Sequence, residues 1–120
     1  KIEFAGITNN TWCYDVTVLG TRDLSHWVLG LCEDIEENDI SNVTQDGNSV
    51  DYEVGSDPTT GVTGLKFDDL TQSVSDGIVK YCFELENGFG LNTVEAGVKS
   101  GGPNGSSQVD VGKICGPECV

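Results

Sequence analysis

The feature that most limits what this chain can fold into is a side-chain period of two. Trp12, Tyr14, Val16 and Val18 point one way, while Thr11, Cys13, Asp15 and Thr17 point the other. Such alternation describes a strand with one buried and one wet face. Val50, Tyr52 and Val54 alternate with Asp51 and Glu53. Val79, Tyr81, Phe83 and Leu85 alternate with Lys80, Cys82, Glu84 and Glu86. Val94, Ala96 and Val98 do the same, and Val109 and Val111 flank Asp110. Shorter candidates are Ile2–Phe4, Trp27–Leu31 and Val62–Phe67, where Gly64 shifts the alternation and is read as a bulge. Turn formers separate these runs: Asp46-Gly47-Asn48, Ser56-Asp57-Pro58, Asp76-Gly77, Asn87-Gly88 and the loop Gly101-Gly102-Pro103-Asn104-Gly105. Helical periodicity is confined to a turn or two at Glu33–Glu37. About eight short strands at this spacing predict an all-β, two-sheet β-sandwich, immunoglobulin-like or jelly-roll. No linker or repeat divides it, so residues 11–120 are expected to form a single domain preceded by an N-terminal segment, residues 1–10.

Composition narrows the setting. Twenty acidic residues against six basic ones give a net charge of -14. That balance disfavours phosphate backbones and anionic membranes, so neither nucleic acid nor membrane insertion is expected. No stretch approaches the roughly 20 apolar residues of a membrane-spanning helix. Five cysteines in 120 residues favour an oxidising compartment. With no methionine at the start and no apolar leader left, the expectation is a processed, secreted, extracellular chain.

Cys13 and Cys82 both fall on the polar faces of their strands. If those strands are neighbours, the two can form a cross-strand disulfide, which needs Cβ atoms within roughly 4.5 Å. Cys32, Cys115 and Cys119 are the other disulfide candidates. Five is odd, so at least one thiol is free or bonded to another chain.

Four segments are similar to a known group. They are Leu24–Cys32 (LSHWVLGLC), Val54–Asp68 (VGSDPTTGVTGLKFD), Glu95–Gly102 (EAGVKSGG) and Gly112–Cys119 (GKICGPEC). In this order they resemble secreted β-sandwich modules of bacterial surface and extracellular proteins, over roughly residues 11 to 119. The resemblance implies a role in surface display or matrix, and a disulfide from Cys32 to one of the last two cysteines. It carries no catalytic signature.

For metals, Asp57, Asp68 and Asp69 are the candidate calcium ligands, supported by the acidic run Glu33–Asp39. None matches the EF-hand spacing, and no other cofactor is implied. Cys115 and Cys119 lack the second ligand pair that a structural zinc site needs. Catalysis finds no convincing set: Ser25 and His26 are adjacent, so on a strand they face opposite ways. His26 is expected to be packed or hydrogen-bonded structure, and the chain is not expected to be an enzyme. Three sequons make Asn9, Asn42 and Asn104 glycosylation candidates. The expected function is a subunit of an extracellular filament or matrix, a homopolymer. It would assemble by adding the Lys1–Asn10 segment, through Ile2, Phe4 and Ile7, to a neighbour's sheet. The alternative is an adhesion or ligand-binding module for carbohydrate or protein, calcium-dependent or not, with Phe89 the aromatic expected at the surface.

Overall fold

The computed structural model describes residues 1–86, 89–101 and 108–118. Among these residues, ten strands form two five-stranded antiparallel sheets packed face to face, so the predicted sandwich is found with ten strands rather than eight. The first sheet has the order β1 (Ile2–Thr8), β2 (Thr11–Thr17), β8 (Ile78–Leu85), β4 (Ile40–Gln45), β5 (Asn48–Ser49). The second has the order β10 (Gln108–Glu118), β9 (Gly90–Gly101), β3 (Asp23–Gly30), β7 (Thr63–Phe67), β6 (Tyr52–Ser56). Among the described residues there is no α-helix. Glu33–Glu37 gives only a turn, and a short 3-10 turn follows at Glu37–Asp39.

The alternation explains the core. Trp12, Tyr14 and Val16 of β2 and Val79, Tyr81, Phe83 and Leu85 of β8 all point inward and are buried. They meet Leu24, Trp27 and Leu29 of β3 and Leu65 and Phe67 of β7 from the opposite sheet. Trp27 stacks on Phe67 with ring centroids 4.6 Å apart and meets Tyr81 edge-on at 5.6 Å. Interlocking aromatic pairs of this kind contribute about 0.5–1.5 kcal/mol each beyond their buried area. A buried polar chain runs through the middle. Tyr81 Oη donates to Gln72 Oε1 at 2.8 Å, and Gln72 Nε2 donates to the Val16 carbonyl at 2.8 Å.

On the outer face of the first sheet, Cys13 lies directly opposite Cys82 and the two form a disulfide, as their strand positions predicted. Closing a loop of 69 residues this way stabilises the fold by about 4 kcal/mol in the chain-entropy picture.

Two expectations are corrected. Gly64 does not mark a bulge: it pairs regularly with Gly30 on β3 and with Gly55 on β6. Its role is close approach, because a Cβ there would lie 1.8 Å from the Leu29 carbonyl oxygen. The irregularities occur elsewhere, between Phe4 and Gly6, Leu24 and His26, and Ser41 and Thr44. Phe89 is not a surface aromatic either. It is partly buried and packs against the core cluster.

Candidate functional site

Three of the four distinctive segments come together on the outer face of the second sheet. The bulge at Leu24/His26 in β3 turns His26 to the same side as Val28. Val28 lies opposite Gly97 of β9 on one side and Lys66 of β7 on the other. The loop from Asp57 to Val62, between β6 and β7, folds over them. Gly97 leaves room for it, since a Cβ there would sit 2.6 Å from Thr60 Cβ.

Asp57 is the centre of this arrangement and is only 2% exposed. Its Oδ2 is 3.1 Å from His26 Nε2 and accepts from Thr60 Oγ1 at 2.7 Å and from the Thr60 N–H at 3.1 Å. Its Oδ1 has no hydrogen bond, but the Lys66 ammonium lies 3.5 Å away. Burial by itself would raise the Asp57 pKa. The Thr60 bonds, then the His26 bond and charge, outweigh it and hold the carboxyl well below the usual carboxylate range. A carboxylate stripped of water survives only with such partners. The local cause is readable afterwards: Asp-Pro-x-Thr lets an aspartate bond the backbone three residues on, a turn motif that also bends the loop back.

A carboxylate orienting a histidine also occurs in hydrolytic triads, where the far side of the imidazole meets a nucleophile. Here Thr60 Oγ1 donates to the same carboxylate oxygen as His26, and His26 is 5% exposed. The arrangement clamps the β6–β7 loop onto the sheet, which agrees with the packed, hydrogen-bonded role expected of His26. Ser25, its neighbour, donates to the Lys99 carbonyl at 3.0 Å.

The candidate calcium ligands fall around this clamp. Lys66 stands between Asp57 and Asp68, 3.5 Å from one and 3.9 Å from the other, so a protein cation already serves both. Asp69 turns to Asp51, whose hydrogen bond is the first cause of its raised pKa, followed by the Asp68 charge. Among the described residues, no group of three or more histidine, cysteine, aspartate or glutamate side chains is placed to hold a metal ion.

Of the other cysteines, Cys32 is disulfide-bonded, Cys115 is a free thiol exposed on β10, and Cys119 lies outside the described residues. The Cys32 pairing implied by resemblance therefore does not involve Cys115. Asn9 sits in the two-residue turn between β1 and β2, and Asn42 lies at the irregularity in β4; both have positive φ, 49° in each case. Asn104 lies outside the described residues.

The N-terminal segment forms β1, hydrogen-bonded to β2 at the margin of the first sheet. Ile2 and Phe4 pack on the core from there, while Ile7 is 39% exposed. β1 also touches β10 of the opposite sheet. Between these margins runs a groove of about 590 Å³, lined by Ile2, Val16, Val18, Leu24, Val98 and Ile114 among others.

The fold thus defines a two-sheet β-sandwich whose most developed polar site is an internal clamp. No family model, curated protein or solved structure matches the chain.

Proposed function

We propose that this chain is a secreted structural subunit that polymerises at the cell surface by strand addition. The observation that carries the reading is the character of β1. It is an edge strand, it contributes Ile2 and Phe4 to the core, and it joins the domain through the two-residue turn Asn9–Asn10. Both turn residues are left-handed, with φ of 49° and 69°. Asparagine tolerates that conformation at modest cost, and a hinge opening there would free the strand. A neighbour's β1 could then satisfy the same ladder with β2 and the same core contacts. Exchange of an identical element in this way is a low-cost route to assembly, and head-to-tail exchange does not close on itself. The disulfide and the absence, among the described residues, of any helix long and apolar enough to cross a membrane are compatible with an extracellular setting. The groove, lined by both apolar and charged side chains such as Ile2, Val98, Arg22 and Asp110, supports a second reading, an adhesion or ligand-binding module.

Negative-stain electron microscopy of the whole chain and of a chain lacking residues 1–10 tests the first reading. Fibres from the whole chain, dispersed particles from the truncated one, and binding of a synthetic 1–10 peptide to the truncated chain are the expected results. Fibres that persist without residues 1–10 would sink strand addition through β1.

A further inference from the structure

Among the described residues, the second sheet ends in two unpaired edges, β10 on one side and β6 on the other. An unpaired edge presents a row of N–H and C=O groups that another strand can complete. Four antiparallel steps separate these edges, so β6 and β10 run in the same direction. A second copy shifted sideways along the sheet, without rotation, therefore brings its β6 parallel to β10. The pairing Glu53–Lys66–Val28–Gly97–Val111 crosses the whole sheet, and all five residues belong to its outer face.

The two edges differ in which charges stand without a partner. β10 carries Asp110 and Glu118 as well as Lys113, and Glu95 lies opposite Lys113 on β9, but among the described residues the cations there have no carboxylate within 4.0 Å. Of the six basic residues, Lys1, Lys66 and Lys80 each have a carboxylate within 4.0 Å. Arg22, Lys99 and Lys113 have none among the described residues. All three lie at the β10 side. Lys99 is on β9 opposite Val109, Lys113 is on β10, and Arg22 donates to Gln108 Oε1 at 3.3 Å. In a chain of net charge -14, the three cations without a carboxylate partner are all grouped at this margin. Beside β6 the opposite holds. Asp51, Glu53, Asp68 and Asp69 crowd together closely enough to raise the Asp69 pKa, through the Asp51 hydrogen bond first and the Asp68 charge next. Apolar surface adds to the attraction, since Val109 and Val111 on the outer face of β10 are 40% and 48% exposed.

We propose that β10 of one copy accepts β6 of a second copy of this chain, extending the sheet across molecules. The second copy's acidic Asp51 and Glu53 then face Arg22, Lys99 and Lys113. Carrying the register straight across sets Glu53 of the second copy level with Val111, two residues from Lys113 on one side and two from the level of Lys99 on the other. The contact is heterologous, so each copy keeps one edge of each kind free and growth continues in a line. It uses only the second sheet and stands whether or not β1 exchanges.

Two charge-reversed variants of the full chain test it: Lys99→Glu with Lys113→Glu, and Asp51→Lys with Glu53→Lys. Sedimentation velocity over a range of concentration and salt gives the readout. The wild type should self-associate, and more weakly as salt rises. Either variant alone should dissociate at least about tenfold more readily. An equimolar mixture should recover association, because each variant then meets an edge of opposite charge; this recovery also shows that both are folded. A wild type whose mass is constant with concentration, or a mixture no better than its components, would overturn the proposal. Association that survives charge reversal but is lost on deleting residues 1–10 would overturn it and leave strand addition standing. The converse pattern would do the reverse.

Discussion

Tyr14 Oη donates to the Cys115 carbonyl oxygen at 2.8 Å, tying β2 of one sheet to β10 of the other. The phenol ring is fully buried, so the hydroxyl has no water to turn to and the bond fixes how the sheets meet at this margin. It also places the exposed thiol of Cys115 on a strand anchored from behind.

The buried tyrosines set an alkaline limit. Burial, then the neighbouring Cys115 charge, raises the Tyr14 pKa; burial, against a lowering bond from Gln45, pushes Tyr81 up to about 12. A group raised on folding gives stability that is full below its unfolded value, about 10, and is lost as pH rises through the folded value. Absorbance titration at 295 nm should therefore show two of the three tyrosines ionising only as the chain unfolds. Three reversible transitions in a chain that circular dichroism shows still folded would refute this.

The Asp57 clamp should appear at the acidic end. Its depressed pKa means stability present above the unfolded value, about 3.9, and lost as pH falls through the folded one. Asp57→Asn should cost about 3 kcal/mol at neutral pH, because it removes the buried negative charge that Thr60, His26 and Lys66 are arranged around. Urea unfolding at a series of pH values should show that cost shrinking below about pH 4. A cost independent of pH would mean that the charge of Asp57 contributes nothing.

Gly97 and Thr60 should behave as a coupled pair. Gly97→Ala pushes a methyl to 2.6 Å from Thr60 Cβ and should cost about 2 kcal/mol by overpacking. Thr60→Gly removes the obstruction, so the double variant should be more stable than the sum of the two singles by about 1 kcal/mol. Additivity would show that the loop does not rest on Gly97 in solution.

Much of the fold was legible along the chain. The inward residues of β2 and β8 follow directly from alternation, since a strand cannot change the side on which successive residues point without a bulge. For the same reason Cys13 and Cys82 could be placed on one wet face, and adjacency of their strands was the single missing fact. Legibility failed where a feature depends on contacts across the sheet. Gly64 interrupts the alternation as a bulge would, yet its role lies in the Leu29 carbonyl pressed against it. Asp57 offers a turn carboxylate in the sequence, and only the fold buries it against His26, Thr60 and Lys66. Phe89 lies among glycines, a setting that suggests exposure, but just before β9 it packs against the core.

The sequence by itself determined that this chain forms strands, which faces of them are apolar, and that its charge is strongly negative. These are local properties, set by backbone geometry and by the order of side chains. Only the tertiary structure decided which strands became neighbours, that His26, Asp57 and Lys66 would share one buried point, and that the unpaired cations would gather at one sheet edge and the crowded carboxylates near the other. The reason is physical: period two fixes direction but not partner, and charge acts through space rather than along the chain.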